Sequence, residues 1–414
     1  MTKPMNKIEK LIAELCPEGI EFKELGELGV FYGGLSGKSK NDFNNGNSKY
    51  ITYMNVFSNI SVDIKINDFV KVNKEEKQNK VNFGDVLFTG SSETPDECGM
   101  SSVLTENIEE ALYLNSFCFG FRLHDINLFS PEFLKYLFRE EQIRKQITKT
   151  TSGVTRFNIS KKRFDKIKIP IPPLAIQQEI VKILDTFTTL EAELEAELNA
   201  RRKQIEKIIA GILIKPNNQL RKIDDITEVK SGGTPDTKIV KYWKNGNVPW
   251  LKSESCKENY IAEPNGFITE LGLKNSSAKW LEPNTTLMAL VGATKAKTAF
   301  LTFKATTNQN IAGIKSLDEN IALDKFIFYI LRGMYKKIIK GKTAYHMLNL
   351  SDIKNIEIPI PPLAIQQEIV KILDTFTTLE AELEAELNAR RKQYEYYRNK
   401  LLTFKPLEKE YANQ

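Results

Sequence analysis

The sequence predicts an α+β protein: two globular domains of mixed α/β content, separated by two long helices that form an antiparallel coiled coil, the whole arranged with pseudo-two-fold symmetry. Three observations predict it. A block of 36 residues, Ile169 to Gln204, recurs without a change as Ile358 to Gln393, an offset of 189 residues. That offset far exceeds the ~20–50 residues of a stacking solenoid, so the chain is a duplicated domain-plus-connector unit. Within the block, apolar residues fall seven apart, which is coiled-coil spacing. Outside it, short apolar runs such as Gly84-Asp85-Val86-Leu87-Phe88 and Thr286-Leu287-Met288-Ala289-Leu290 alternate with Gly-, Ser- and Asn-rich turns, the pattern of strands with much loop. The expected boundaries are a first globular domain over 1–157, a helical spacer over 158–215, a second globular domain over 216–347 and a second spacer over 348–414.

A chain of 414 residues is too long for one ordinary core, and division into domains follows from burial alone. Hydrophobic residues at 41% and charged residues at 27% are those of a folded globular protein. Met1 to Leu15 mixes Lys3, Lys7, Glu9, Lys10 and Glu14 among its apolar residues, which gives neither a secretory core nor a span of about 20 apolar residues, and a cytoplasmic location is expected. The cysteines Cys16, Cys98, Cys118 and Cys256 form no C-x-x-C pair and only two histidines exist, so no metal is expected and the thiols should be reduced. A formal charge of +6 and a pI near 8.8 fit a nucleic-acid partner without requiring one.

Each connector opens on prolines (Pro170, Pro172 and Pro173 in the first copy), which favour an extended lead-in and a helix starting near Leu174 or Ala175. Ile180, Phe187 and Leu194 then form one seam, with Leu184, Leu198, Ile205 and Ile212 adjoining it; the second copy repeats it with Ile369, Phe376 and Leu383 beside Leu373, Leu387, Tyr394 and Leu401. An isolated helix would expose this seam to water, so each needs a partner, and the simplest is the other copy. Antiparallel pairing gives both globular domains equivalent surroundings. Ala192, Ala196 and Ala200 are expected to permit close helix approach, and Glu197 sits one turn before Arg201 as a surface pair.

Several enzymatic motifs fail. Gly33 to Ser39 resembles a phosphate loop, but the pattern G-x-x-x-x-G-K-[ST] requires glycine where Tyr32 stands, and the Asn- and Gly-rich stretch after it reads as loop rather than helix. No G-x-G-x-x-G follows a strand, Pro172-Pro173 lacks the preceding Asn and following aromatic of an adenine methyltransferase, and Pro95-Asp96-Glu97 and Pro235-Asp236 read as turns. His124 and His346 have no nucleophile at a meaningful spacing. No catalytic residue is assigned, and no cofactor is expected in this chain.

Loops of small polar and basic residues recur at matched places in the two halves: Thr89-Gly90-Ser91-Ser92 against Val291-Gly292-Ala293-Thr294-Lys295, and Lys149 to Arg156 against Lys340 to His346. Such side chains read base edges in the major groove, while lysine, arginine and backbone amides grip phosphates. The candidate DNA-binding residues are Lys38, Lys40, Ser91, Ser92, Thr151, Ser152, Thr155 and Arg156 in the first half. In the second half they are Thr234, Thr294, Lys295, Lys342, Thr343, Tyr345 and His346. Singly, each is explained by solvation of a loop; recurrence in both halves is what lifts them. The glycine pairs Gly33-Gly34 and Gly232-Gly233, aligned with each other, are expected to be turn formers with positive φ. Glu191, Glu193, Glu195 and Glu197 would repel phosphate and should face solvent or a protein partner, leaving DNA to the globular parts.

The segment Ile-Pro-Ile-Pro-Pro-Leu-Ala-Ile-Gln-Gln-Glu-Ile-Val followed by a leucine-rich helix, present twice, resembles the conserved regions of type I restriction-modification specificity subunits, as do Ser231-Gly232-Gly233-Thr234-Pro235 and Leu15-Cys16-Pro17-Glu18-Gly19. The first half departs from the family-like S-G-G-T-P in having Tyr32-Gly33-Gly34-Leu35-Ser36. The resemblance implies two target-recognition domains, each binding half of a split DNA site, and helices that set the spacing and dock two methyltransferase subunits, with motor-nuclease subunits completing the complex. S-adenosylmethionine, ATP and Mg are then expected in those partners, with this chain non-catalytic and no membrane involved. A helix from Ala175 to Glu206 is roughly 48 Å long, equivalent to roughly 14 base-pair steps, and could act as a ruler. The competing readings are a coiled-coil scaffold that binds no DNA and a nuclease or methyltransferase with unrecognised sites.

Overall fold

The computed structural model describes residues 7–214, 219–340 and 347–407. It forms two compact units, Met1–Glu193 with Asn388–Gln414, and Leu194–Leu387. The divisions fall inside the two long helices, so each unit contains one stretch of each.

In the first unit an antiparallel sheet runs in the order Gly29–Gly33, Cys118–Leu123, Val86–Thr89, Ser101–Val103. Val86–Thr89 is buried along its whole length, and its alternation sends Val86 and Phe88 into one cluster and Leu87 into another. On one side Phe88 meets Phe119, Phe138 and Phe164 at ring separations of 5.4, 5.1 and 5.0 Å. On the other lies a smaller sheet, ordered Phe69–Val70, Ser48–Ile51, Leu112–Leu114, the last two parallel. A third, formed by Thr151–Ser152, Phe157–Ile159 and Ser91–Ser92, carries several of the candidate residues.

The second unit follows the same plan. Its main sheet runs Thr227–Ser231, Ile311–Ser316, Thr285–Ala289, Thr298–Leu301, with Tyr260–Ile261 added parallel to the last, where the first unit has the single parallel bridge Ser61–Val103. Its smaller sheet runs Phe267–Ile268, Val248–Leu251, Ala305–Thr307, Trp280–Leu281.

The proline lead-ins behave as expected. Lys168–Pro170 pairs with Phe22–Glu24, and Glu357–Ile360 with Gln219–Lys222; the first long helix then runs Leu174–Ile214 over 41 residues and the second Leu363–Leu402 over 40. The first helix runs on past Glu206 to Ile214, as the seam residues Ile205 and Ile212 require, and these with Ile209 enter the second unit's core. Pairing is antiparallel in each unit. In the first, the Phe187 ring stacks on Tyr397 at 5.3 Å and Arg391 donates to Glu191 at 2.6 Å; in the second, Arg202 donates to Glu380 at 2.7 Å and also pairs with Glu384.

Two expectations about these helices are corrected. Ala192, Ala196 and Ala200 are exposed, as are their counterparts Ala381, Ala385 and Ala389, so the alanine stripe does not line the helix contact, which larger side chains occupy. Glu191, expected to face solvent or a protein partner, instead pairs across to Arg391 of this chain's other long helix; the local pair Glu197–Arg201 forms at 2.7 Å, as expected. The seam also serves more than its partner helix: Ile176, Ile180 and Leu184 enter the core with Phe133, Leu134 and Tyr136. Gly333 lets its helix approach the first long helix so closely that a Cβ there would lie 2.1 Å from Ile209 Cγ2.

The repeated block fastens to each globular part by the same side chains. Gln177 is fully buried; its Oε1 accepts from the Ser130 amide at 2.9 Å and its Nε2 donates to the Leu128 and Pro172 carbonyls at 3.0 and 2.7 Å. Gln366 does the same with the Leu323 amide and the Ile321 and Pro361 carbonyls. One residue pair further along, Tyr136 donates to Asp185 at 2.6 Å, and Tyr329 to Asp374 at 2.7 Å.

Candidate nucleic-acid interface

In the first unit the three-stranded sheet brings Ser91, Ser92, Thr151, Ser152 and Arg156 together although they lie far apart in sequence. Phe157 pairs with Ser92 and Asn158 with Ser91; Thr151 and Ser152 pair with Ile159 and Asn158. Between the outer strand Thr151–Ser152 and the central strand Phe157–Ile159, Gly153 to Arg156 form an exposed hairpin, with Val154 90% exposed at its tip and Thr155 beside it. Gly153 adopts φ +143°, and a Cβ there would lie 2.0 Å from the Arg156 carbonyl oxygen, so the turn requires glycine. Arg156 Nη2 and Nε donate to Ser91 Oγ at 3.0 and 3.3 Å. Ser92 Oγ donates to Glu97 at 3.0 Å, and Tyr53 donates to the Ser91 carbonyl at 2.8 Å.

Two arginines that sequence reasoning passed over hold this region from beneath. Arg144 donates to the carbonyls of Asp96 and Cys98, each at 2.7 Å, and of Gly99. Arg139 donates to those of Ser101 at 2.9 Å and of Phe57 at 3.2 Å. Burial pushes both guanidiniums down to about 10, so both remain charged at neutral pH and serve as cationic clasps on carbonyl oxygens.

Lys38 and Lys40 lie in the loop after Gly29–Gly33. The Lys38 ammonium is engaged by Glu76 and by the Lys71 carbonyl, and its side chain is 6% exposed, so it closes the loop internally. Lys40 is exposed and begins a 3-10 turn, Lys40–Phe43, capped by a reciprocal Ser39–Asp42 box; the Ser39 amide and hydroxyl hold the Asp42 carboxyl below its ordinary value.

In the second unit Thr234 bonds to Gln309, Thr294 Oγ1 donates to the Ser253 carbonyl at 3.0 Å, and the Leu290 amide donates to the Asn310 carbonyl at 2.9 Å, which gathers the loops around 234, 290–294 and 309. Lys295 is 9% exposed, which corrects its reading as an outward-facing contact: the chain turns inward after Thr294, and Ala296 adopts φ +64°. Lys342, Thr343, Tyr345 and His346 lie outside the described residues.

The glycine pairs need a different account from the one expected. None of Gly33, Gly34, Gly232 or Gly233 has positive φ; close approach constrains all but Gly33, since a Cβ on Gly34 would lie 2.0 Å from the Asn115 oxygen, one on Gly232 2.0 Å from the Thr307 oxygen and one on Gly233 2.3 Å from Ser277 Oγ. Strand register also moves the match by one residue. Gly33 faces Phe119 and Ser231 faces Ala312, so Gly34 corresponds to Gly232, and Leu35 stands where the second unit has Gly233. Tyr32, the residue that breaks the phosphate-loop pattern, is structural: it donates to buried Asp85 at 2.6 Å, and Arg122 binds the same carboxylate at 2.6 and 2.9 Å.

The register exposes a position that sequence comparison missed. The Phe117 amide donates to Asn115 Oδ1 and the Asn310 amide to Asn308 Oδ1; the Gly90 amide reaches the Phe117 carbonyl as that of Leu290 reaches Asn310. Phe117 and Asn310 therefore occupy the same backbone slot with unlike side chains, and Phe117 is 57% exposed.

Comparison with known proteins bears on what such loops serve. The model of the type I restriction modification DNA specificity domain matches twice, over residues 17–202 and 216–390. The specificity subunit of the type I restriction enzyme EcoR124I/EcoR124II of Escherichia coli is 34% identical over 261 residues, which are 58% of this chain and 64% of that protein. A putative type I restriction enzyme specificity subunit of Haemophilus influenzae is 30% identical over 61% of this chain and 68% of its own length. The putative MjaX specificity subunit of Methanocaldococcus jannaschii is 27% identical over 88% of each. The alignment thus spans just under two thirds of the Escherichia coli protein. The fold is that of the type I restriction-modification S subunit from M. genitalium, with a TM-score of 0.55 at 14% identity over 93% of this chain and 96% of that one. A chain solved in a study of type I R-M complex assembly and conformational transition gives 0.57 at 15% over 93% and 97%. With the family's domain matched once in each half, the chain belongs to the type I restriction-modification DNA specificity family.

Proposed function

We propose that this chain is the DNA-binding specificity subunit of a type I restriction-modification complex, its two globular domains (1–157 and 216–347) each reading one half of a bipartite site. The helical spacers (158–215 and 348–414) then set the distance between the halves and dock two methyltransferase subunits, and motor-nuclease subunits join for cleavage. S-adenosylmethionine, ATP and Mg act in those partners, and the assembly works on double-stranded DNA in the cytoplasm. The observation that carries this reading is the pairing of one scaffold with two contents: the sheets, the buried glutamines and the tyrosine–aspartate fastenings recur in both units, while the loops at the end of the main sheet differ, as Phe117 and Asn310 do in one backbone slot. Equal frames bearing unlike polar loops suit two different half-sites. Among the described residues no helix is long and apolar enough to cross a membrane.

The loop residues proposed to meet DNA are Lys40, Ser91, Ser92, Thr151, Ser152, Thr155 and Arg156, with Thr234 and Thr294 in the second domain. Lys342, Thr343, Tyr345 and His346 are retained from the sequence. The test is long-read methylation mapping in cells that express the chain with its methyltransferase, against cells lacking the chain. A split adenine-methylated motif that disappears without the chain is expected. An unchanged pattern, with both proteins present and associated, would favour a scaffold without DNA binding.

A further inference from the structure

We infer that Arg156 reads a guanine in the half-site of the first domain, its guanidinium pre-set by Ser91 and Phe117. This rests on the proposed DNA-reading role and adds to it a base, a contact residue and two positioning residues. The arginines of the first unit ahead of the long helix separate by what holds them. Arg122 is neutralised by Asp85. Arg139 and Arg144 are mostly enclosed against carbonyls, and Arg163 donates to the carbonyls of Lys149 and Thr151. Arg156 is exposed on the hairpin and is tethered by the neutral hydroxyl of Ser91, and among the described residues it forms no salt bridge with a carboxylate.

Its geometry is fixed nonetheless. The guanidinium carbon lies 5.5 Å from the centre of the Phe117 ring, within the range of a cation–π contact. Phe117 is itself pinned through its amide and carbonyl, at 2.9 Å to Asn115 and 2.8 Å from Gly90. A guanidinium has five N–H donors; Ser91 engages the Nε and Nη2 side, and the Nη1/Nη2 edge is the fork that matches the O6 and N7 acceptors of guanine. An arginine held in plane before binding loses little rotamer freedom on contact, which sharpens discrimination. An exposed phenylalanine is otherwise a liability; here its ring orients the cation and can cover a neighbouring base or thymine methyl.

The test uses the full chain with its methyltransferase. Wild type, Arg156→Lys, Arg156→Ala and Phe117→Ala are compared by methylation mapping, and by competition of duplexes substituted at each position of the motif. Wild type is expected to prefer guanine at one position of one half-site by about 10-fold or more. Arg156→Lys keeps the charge but loses the fork, and should make that position degenerate while the other half-site stays intact; Phe117→Ala should weaken the preference several-fold. If wild type directs no split motif, the specificity reading itself fails. If wild type directs one and both Arg156 variants still prefer guanine at every guanine of the motif, this assignment is overturned. A uniform loss across all duplexes with base preferences unchanged would assign Arg156 to phosphate and overturn it equally; circular dichroism separates that outcome from misfolding.

Discussion

At the scale of single residues, two adjacent glycines give a sharp contrast. A Cβ on Gly33 would meet nothing within 4 Å, whereas one on Gly34 would strike the Asn115 carbonyl. Gly33→Ala is expected to change stability by no more than about 0.5 kcal/mol, as at an ordinary surface position. Gly34→Ala should cost about 2 kcal/mol or more, because backbone must shift, and urea unfolding of both variants checks the difference. A second prediction concerns Gln177, whose buried amide satisfies three backbone groups. Gln177→Leu strands them and should cost about 3 kcal/mol; a loss below 1 kcal/mol would mean that water replaces the amide. Part of the candidate site was legible because residue type and recurrence located the loops at 89–92, 149–156 and 291–295. What escaped was partnership across sequence: nothing near Lys38 announces that Glu76 takes its ammonium, and nothing near Phe117 announces Arg156. Lys295 failed for a related reason, since a lysine in a polar loop reads as outward until the chain's turn at Ala296 is known.

At the scale of elements, one carboxylate joins three helices in the second unit. Glu380 on the second long helix accepts from Arg202 on the first at 2.7 Å and from Arg332 on Asp324–Gly333 at 2.8 Å. The first unit keeps the interhelical part of this arrangement as Glu191–Arg391, but Arg139, in the place of Arg332, turns to carbonyls instead. Burial pushes the Glu380 carboxyl upward, and Arg332 and Arg202 outweigh it, so its net position is below the ordinary value. A depressed carboxyl contributes stability that is present above its unfolded value and is lost as pH falls through the folded one. Glu380→Gln should therefore cost up to about 3 kcal/mol at neutral pH, with Arg332 left without its counter-charge. The gap from wild type should narrow as pH falls through the carboxylate range, and urea midpoints across that range test it; a gap that stays constant would mean that the pair's charge contributes nothing. The seam residues and the proline lead-in were readable because heptad spacing and missing N–H groups are local properties. The outward alanines were not: small side chains permit close approach without compelling it, and Phe187 with Tyr397 occupies the contact instead.

At the scale of the whole molecule, the ruler reading makes the length of the long helices a functional quantity. Each is continuous, the first over 41 residues, hence roughly 60 Å at about 1.5 Å per residue, longer than the stretch from Ala175 to Glu206 alone. The unit boundaries at Glu193 and Leu387 mark where an insertion would least disturb the contacts within either unit. One heptad added after each residue preserves the seam, since seven residues return a helix to within about 20° of its starting face. It also adds about 10 Å, or about three base-pair steps. The unread gap in the methylated motif should therefore grow by about three base pairs while both half-sites keep their sequences. Three steps also turn the duplex by roughly 100°, given about 10.5 base pairs per turn, far more than the heptad turns the helices. The lengthened chain must then twist either the DNA or its own helix pair, so it should bind its best site more weakly than wild type binds its own, by an amount that grows with DNA stiffness. An unchanged gap in methylation mapping would sink the ruler, and a lengthened gap with undiminished affinity would mean that the joints between helix and domain absorb the twist.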